Sequence, residues 1–150
     1  DRRDNVAAAG SMDTTIQDQA RMWRGMFAGE GLSPAARAEW ARAQFAIRTQ
    51  QKFPTIQFYN TTDPRGGATN LSASLVGETW DGPNGRYFSK GGHNDWTGNL
   101  VICGETEQRC VVMLGNSVRA EIIFPEIAAL IMGETQFPFW WTYPELQRGE

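Results

Sequence analysis

Two apolar segments joined by a short polar connection are the feature of this sequence that most constrains its fold. The strand candidates at residues 99–103 and 110–114 carry three and four apolar residues in succession, rather than at alternate positions. That pattern is typical of strands covered on both faces. Because residues 104–109 have the length of a hairpin connection, the two segments are expected to pair as antiparallel neighbours inside a sheet.

Two helices are predicted before the sheet. Thr14 and Gln17 have the spacing of a capping box, in which side chains satisfy the first backbone N–H groups of a helix. A helix is therefore expected over about residues 15–28. Ser33 followed by proline is typical of a helix start, which predicts a second helix over about residues 34–47.

The rest of the pattern completes an α+β fold. Residues 86–90 form another strand candidate, and the antiparallel sheet is expected to extend over about residues 71–114. A last helix is predicted over about residues 118–132, where Pro125 either starts the helix or kinks it. Helices segregated from a run of strands are typical of the α+β class.

Composition narrows the class of protein. With 150 residues, 41% hydrophobic and 21% charged, residues 1–150 are expected to form a single globular unit. A net charge of −3 without a basic run argues against a nucleic-acid partner. No apolar run approaches the ~18–20 residues that span a bilayer. Residues 1–4 contain neither Met nor an apolar segment, so we expect the chain to begin partway through a longer gene product.

One segment, Lys90-Gly91-Gly92 at the end of a predicted strand, carries the most chemical information. Lys90 is one of only two lysines among 14 basic residues. Glycines at a strand end let a ligand or another backbone approach closely. A lysine there would offer a cation beside that opening. The alternative is a solvated lysine that precedes an ordinary Gly-Gly turn.

Residues 88–95, Phe-Ser-Lys-Gly-Gly-His-Asn-Asp, resemble the third active-site motif, Lys-Thr/Ser-Gly, of serine β-lactamase-related proteins. That family includes class C β-lactamases, D-alanyl peptidases and related esterases. The resemblance covers nearly all of the chain and corresponds to the C-terminal part of the family's fold. The other similar segments are residues 8–12 with Thr14, Thr15 and Asp18, residues 32–35, residues 111–117, and Trp140 with Trp141.

The resemblance implies a role for each residue of the motif. Lys90 would lie beside the nucleophile, where its charge holds anionic groups and biases local proton affinities. The backbone N–H of His93 would be one of two oxyanion-hole donors. The substrate-binding residues implied on the same basis are Gly91, Gly92, Asn94 and Asp95. The family's chemistry needs no cofactor, and none is expected.

The sequence departs from the family in two ways. The nucleophile motif Ser-x-x-Lys and the second motif Tyr-x-Asn are absent, so we expect both on an upstream segment or a companion chain. Gly91 stands where the family has Thr or Ser, which weakens a β-lactamase or transpeptidase function and favours an esterase or amidase. The expected function is part of an acyl-enzyme serine hydrolase for a small ester, amide or peptide, with this chain inactive alone.

Other readings of single residues stay open. His93, the only histidine, either acts through its side chain or lines the cleft; without clustered ligands it is a poor metal site, and no metal is predicted. Glu78 and Asp95 are a possible carboxylate pair for glycoside chemistry, supported only by their presence.

The rival class of function is a non-catalytic interaction module that uses the loop at 53–67 and the aromatic tail at 136–144. That tail is either a packed cap or an interaction patch.

Cys103 and Cys110 flank the predicted hairpin connection. If the turn centres on residues 106–107, the two cysteines face each other directly, at a separation that a disulfide can bridge. That bond would place the protein outside the cytoplasm, in the periplasm or secreted. The alternative is two buried thiols in a cytoplasmic protein.

Overall fold

The computed structural model describes Gly10, residues 12–52 and residues 63–144. Its strands form one antiparallel sheet with the order β1-β2-β3-β4-β5-β6. The strands are Phe45–Ala46 (β1), Ser72–Ala73 (β2), Glu78–Gly82 (β3), Gly85–His93 (β4), Gly98–Gly104 (β5) and Arg109–Gly115 (β6). The α-helices are Ile16–Ala28 (α1), Pro34–Trp40 (α2), Pro64–Ala68 (α3), Phe124–Met132 (α4) and Phe139–Thr142 (α5), with a 3₁₀ segment at Val118–Ile123. The predicted α+β class with an antiparallel sheet is confirmed.

Strand β5 is buried on both faces, as its continuous apolar residues predict. Strand β6 is the last strand in the order of the sheet, so the expectation that both segments lie inside the sheet was wrong for β6. Neighbouring side chains of a strand alternate between faces, and directly paired residues share a face. We call the side that bears Phe88 the front face; α1 packs Trp23 and Phe27 there against Phe88, Val101 and Cys103. The back face carries Tyr87, Leu100, Ile102, Val111 and Met113, and α4 covers it with Phe124, Ala128 and Met132.

The first helix agrees with the prediction except at its cap. α1 begins after Thr15, whose hydroxyl oxygen accepts a hydrogen bond from the backbone N–H of Asp18 at 3.2 Å. The cap is therefore one residue later than the predicted Thr14. Trp23 and Phe27, which the helical spacing assigns to one apolar stripe, are both buried.

The second helix is shorter than predicted. α2 ends at Trp40, so the expectation of a helix to residue 47 was wrong. The backbone N–H of Gln44 instead donates to the carbonyl of Ala73 at 2.8 Å, and β1 pairs with β2 directly afterwards. Pairing with the sheet edge satisfies the backbone groups that a longer helix would have satisfied internally.

The C-terminal helix has two parts. Residues 118–123 form the 3₁₀ turn and α4 follows, with Pro125 in its first turn. Of the two possibilities for Pro125, the structure has it start the α-helix; its missing N–H is no loss there because the first N–H groups of a helix have no intrahelical partner.

The aromatic tail is a packed cap. Phe137, Trp141 and Tyr143 are all buried and belong to the back-face core. The indole N–H of Trp141 donates to the hydroxyl of Thr49 at 2.8 Å, which ties the tail to the segment after β1. The interaction-patch alternative for this segment was wrong. Residues 53–62, most of the loop that the rival module would use, lie outside the described residues.

The predicted disulfide is present. Cys103 and Cys110 are direct partners in the register of β5 and β6, with Cα atoms 4.1 Å apart, and their sulfurs are bonded. The pairing of Gly104 with Arg109 shows that the turn is centred where the sequence predicts.

We expect reduction of this disulfide to lower the melting temperature by roughly 5–10 °C. Closing so short a loop is worth ~2.5 kcal/mol in the chain-entropy model, and a chain of this size loses a few degrees per kcal/mol. Calorimetry with and without dithiothreitol measures the shift, and a Cys103→Ser/Cys110→Ser variant should melt with the reduced protein. A melting temperature unchanged by reduction would contradict the assigned stabilising role.

Candidate functional site

Lys90 lies on the front face, close to where β4 ends. It pairs with Val101, and it shares its face with Phe88, two residues earlier, against which α1 packs. The Lys90 side chain is exposed, whereas Phe88 and Ser89 before it are fully buried. Lys90 therefore stands where the covered part of the front face ends.

The front face is open beside this lysine. Gly92 is the next residue of β4 on the same face, and a Cβ placed on it would meet no atom within 4 Å among the described residues. Its cross-strand partner is Asn99, a half-buried amide side chain that the sequence analysis did not single out. Because a residue and its cross-strand partner share a face, Lys90 and Asn99 flank the same opening.

Strand β4 has neighbours on both sides only as far as Ser89. β3 begins with Glu78, the residue that pairs with Ser89, while β5 continues alongside β4 to His93. Within the described residues, positions 90–93 therefore form an edge of the sheet on the β3 side.

The backbone direction at this edge follows from a hydrogen bond farther back in β4. The carbonyl of Tyr87 faces β3, where the hydroxyl of Thr79 donates to it at 2.8 Å. In an antiparallel strand the N–H and C=O of one residue point to the same side, and this side alternates from residue to residue. The N–H groups of Gly91 and His93 therefore point toward the edge.

A tight turn follows the edge. The side-chain Oδ1 of Asn94 accepts hydrogen bonds from the backbone N–H groups of Trp96 and Thr97, each at 2.8 Å. Asn94 thus organises the turn through its side-chain oxygen. Asp95 is exposed within the same turn.

The side chain of His93 lies on the back face, away from Lys90. Its Nδ1 lies 3.4 Å from the carboxylate of Glu121, which the 3₁₀ segment supplies. The exposed fractions of the two side chains are 45% for His93 and 6% for Glu121. Of the two alternatives for His93, this geometry argues against direct action on a substrate at the front face, since the two side chains leave opposite faces of one strand.

Glu78, one member of the possible carboxylate pair, is engaged elsewhere. Its Oε1 lies 2.5 Å from the Nζ of Lys52, and its Oε2 accepts a hydrogen bond from the hydroxyl of Ser89 at 3.2 Å. The Lys52 ammonium also lies over the ring of Trp141, 5.4 Å from the ring centre. A carboxylate held by a half-buried ammonium group is a structural ion pair, so it adds nothing to a glycosidase function.

Tyr87 is the other titratable residue of β4. Burial, the main cause, and the nearby Glu107 carboxylate both raise the pKa of its phenol above the ordinary value. Tyr87 is also fully buried on the back face, so its phenol does not reach the opening beside Lys90.

Glu121 is the residue at this end of the sheet that the sequence analysis missed. Its signal was indirect: Gly98 and Gly115, one in each apolar strand, mark places where another group lies close to the backbone.

Among the described residues there is no cluster of three or more His, Cys, Asp or Glu side chains placed to hold a metal ion. In that same part of the chain no helix has the length and apolarity needed to cross a membrane.

Comparison with protein-family models, with curated proteins and with solved structures finds no match to this chain.

Proposed function

We propose that this chain is the C-terminal part of a β-lactamase-related serine hydrolase that works through an acyl-enzyme. The arrangement at the end of β4 carries the proposal. Lys90 lies at the open part of the front face, the space at Gly92 beside it is filled by no residue that the structure describes, and the N–H of His93 points toward the sheet edge. A cation, a space for an acyl group and an edge-directed N–H are the parts that such a site needs from this half.

The chemistry assigns one role to each part. A serine on the proposed upstream segment or companion chain attacks the carbonyl carbon of an ester or amide and gives its proton to a base of that segment, and the carbonyl oxygen becomes an oxyanion. The N–H of His93 donates to that oxyanion, and Lys90 stabilises negative charge nearby. The bond to the leaving group then breaks, and the alcohol or amine takes the proton from the base. Water hydrolyses the acyl-enzyme, which releases the acid and restores the serine. Donors of this kind are worth about 10²–10³ in rate because they face charge that develops only in the transition state.

Gly91 bears on the substrate class. The residue at this position has no hydroxyl with which to hold the carboxylate of a β-lactam or of a D-Ala-D-Ala peptide. We therefore propose an esterase or amidase with a small substrate, rather than a β-lactamase.

The outer side of α4 supports a companion segment. Its inner stripe, Phe124 with Ala128 and Met132, is buried against the sheet. On the other side, Leu130 of α4 is 88% exposed, and Ile123, the last residue of the 3₁₀ segment before the helix, is 50% exposed. A helix that is apolar on both sides is usually buried on both sides. We propose that the upstream segment or companion chain with Ser-x-x-Lys and Tyr-x-Asn covers this stripe.

The disulfide supports an exported protein. Structural disulfides persist in oxidising compartments and are rare in the cytoplasm of mesophiles. We accordingly propose a periplasmic or secreted location.

Alone, the chain should form no acyl-enzyme, because nothing in it supplies an activated serine. Incubation of the isolated chain with a fluorophosphonate or a fluorescent penicillin, followed by intact mass measurement, should show the unmodified mass. A serine protease treated in parallel confirms that the probe is reactive. A stoichiometric adduct on any serine of this chain would contradict the proposed division of the active site.

A further inference from the structure

A buried carboxylate lies beneath the proposed oxyanion donor. Glu121 is only 5% exposed, although a buried carboxylate is destabilising unless partners compensate for its lost hydration. Its carboxylate is 3.4 Å from the Nδ1 of His93, the residue whose N–H is the proposed donor. The mechanism proposed above makes no use of Glu121.

Two glycines make room for this carboxylate. Gly98 is paired with His93 on one side and with Gly115 on the other. A Cβ on Gly98 would lie 2.5 Å from the Cγ of Glu121, and one on Gly115 would lie 2.6 Å from the Cβ of Ala120. Glycine inside a strand weakens the strand. Here the two glycines let the 3₁₀ segment lie directly on the sheet, so that the Glu121 carboxylate lies against the end of β4.

The end of β4 is paired on one side only, so a side-chain contact there would restrict its movement. Beyond Ser89, β5 is the strand that pairs with β4 in the described part of the chain. An edge with one ladder of hydrogen bonds moves more readily than a strand paired on both sides. Displacement by about 1 Å can cost as much as 10² in rate when the displaced group must meet a transition state.

We infer that Glu121 is a positioning residue that holds the His93 ring on the back face and so fixes the backbone N–H of His93 at the sheet edge. Because a carboxylate only accepts hydrogen bonds, the pair forms a hydrogen bond in the tautomer of His93 that has its hydrogen on Nδ1. The inference rests on the proposed function, since it assigns Glu121 a task in the same oxyanion hole.

The test uses the assembled enzyme, with its upstream segment or companion chain. Glu121→Gln keeps the shape of the side chain and removes its charge. We expect kcat to fall about tenfold while KM changes less than about twofold, because the N–H donor acts mainly on the transition state. The affinity for phenylboronic acid, which forms a tetrahedral adduct with an active serine, should fall in the same ratio as kcat. Glu105→Gln, the same change at an exposed position in the turn between β5 and β6, at the other end of the sheet, is the matched control and should alter neither quantity.

A second pair of variants keeps the test decisive if Glu121→Gln folds poorly. His93→Ala removes the anchored side chain and should lower kcat at least tenfold, whereas His93→Gln, whose amide can still donate to Glu121, should restore most of the loss. In the His93→Ala background, Glu121→Gln should have little further effect. Unchanged kcat in Glu121→Gln, or equal rates for His93→Ala and His93→Gln, would overturn this inference and leave the proposed function standing. Absence of acyl-enzyme turnover in the wild-type assembly would instead refute the proposed function.

Discussion

Lys90→Ala is expected to lower kcat/KM of the assembled enzyme by roughly one to three orders of magnitude, with almost no change in melting temperature. The exposed ammonium group contributes little packing. Its loss should therefore lower kcat/KM and leave the melting temperature almost unchanged. Hydrolysis of several p-nitrophenyl esters and anilides gives the rates, and calorimetry gives the stability. Lys90→His should recover much of the loss, because the esterase branch of the proposed family often has His-Gly-Gly in this motif.

Arg86→Ala is the matched control for this substitution. Arg86 is exposed, four residues earlier on the same strand and the same face, and thus about 13 Å away at ~3.3 Å per residue. Its removal subtracts the same charge from the molecule. Lys52, the other lysine, is unsuitable as a control because it pairs with Glu78. Full activity of Lys90→Ala on both substrate classes would mean that Lys-Gly-Gly is an ordinary strand end.

Gly92→Val is expected to lower the activity by filling space, while the stability of the fold stays the same or rises. In the part of the chain that the structure describes, no atom beyond the two neighbouring residues lies within 4 Å of the position of the added Cβ, and valine favours strands. We therefore expect the free energy of unfolding to stay within about 0.5 kcal/mol of the wild type or to rise. The branched side chain would fill the opening beside Lys90, and kcat/KM should fall by about 10² for want of room for the acyl group.

Urea unfolding of the purified chain and ester hydrolysis by the assembled enzyme measure the two effects of Gly92→Val. Arg86→Val places the same side chain on the same strand and face, away from the opening, and should leave the rate unchanged. A Gly92→Val enzyme with wild-type kcat/KM would show that the opening beside Lys90 does not accommodate substrate.

The hairpin of β5 and β6 was predictable because several independent signals coincide there. Continuous apolar residues predicted coverage on both faces, and the connection length predicted pairing. The positions of Cys103 and Cys110 then followed from the centre of the turn. Each signal is local, so tertiary contacts had little opportunity to override it.

Strand β3 was not predicted, for a physical reason. Glu78 and Thr79 are polar, yet the structure buries them wholly or in part and satisfies them through Lys52, Ser89 and the carbonyl of Tyr87. A buried polar residue with its partner elsewhere in the chain leaves no apolar pattern to read. The early end of α2 has a similar cause, because β2 supplies the competing hydrogen bonds from a distant part of the sequence.

The candidate site likewise combines residues that are adjacent in the sequence with one that only the fold brings near. Lys90 and its two glycines stand together in the sequence, so their juxtaposition needed no tertiary information. Glu121 lies 28 residues from His93, and its contact depends on Gly98 leaving space on an intervening strand. Sequence spacing alone predicts neither the contact nor the face from which it is made.

Identification of the labelled serine in the assembled protein tests the central claim most directly. The protein is isolated from its natural source with its upstream segment or companion chain, labelled with a fluorophosphonate, digested and sequenced by mass spectrometry. We predict a single labelled serine outside these 150 residues, followed three positions later by lysine, with labelling slowed by Lys90→Ala in the recombinant assembly. Failure of the active assembly to label, or labelling of a serine within this chain, would contradict the assignment to a serine hydrolase with its nucleophile elsewhere.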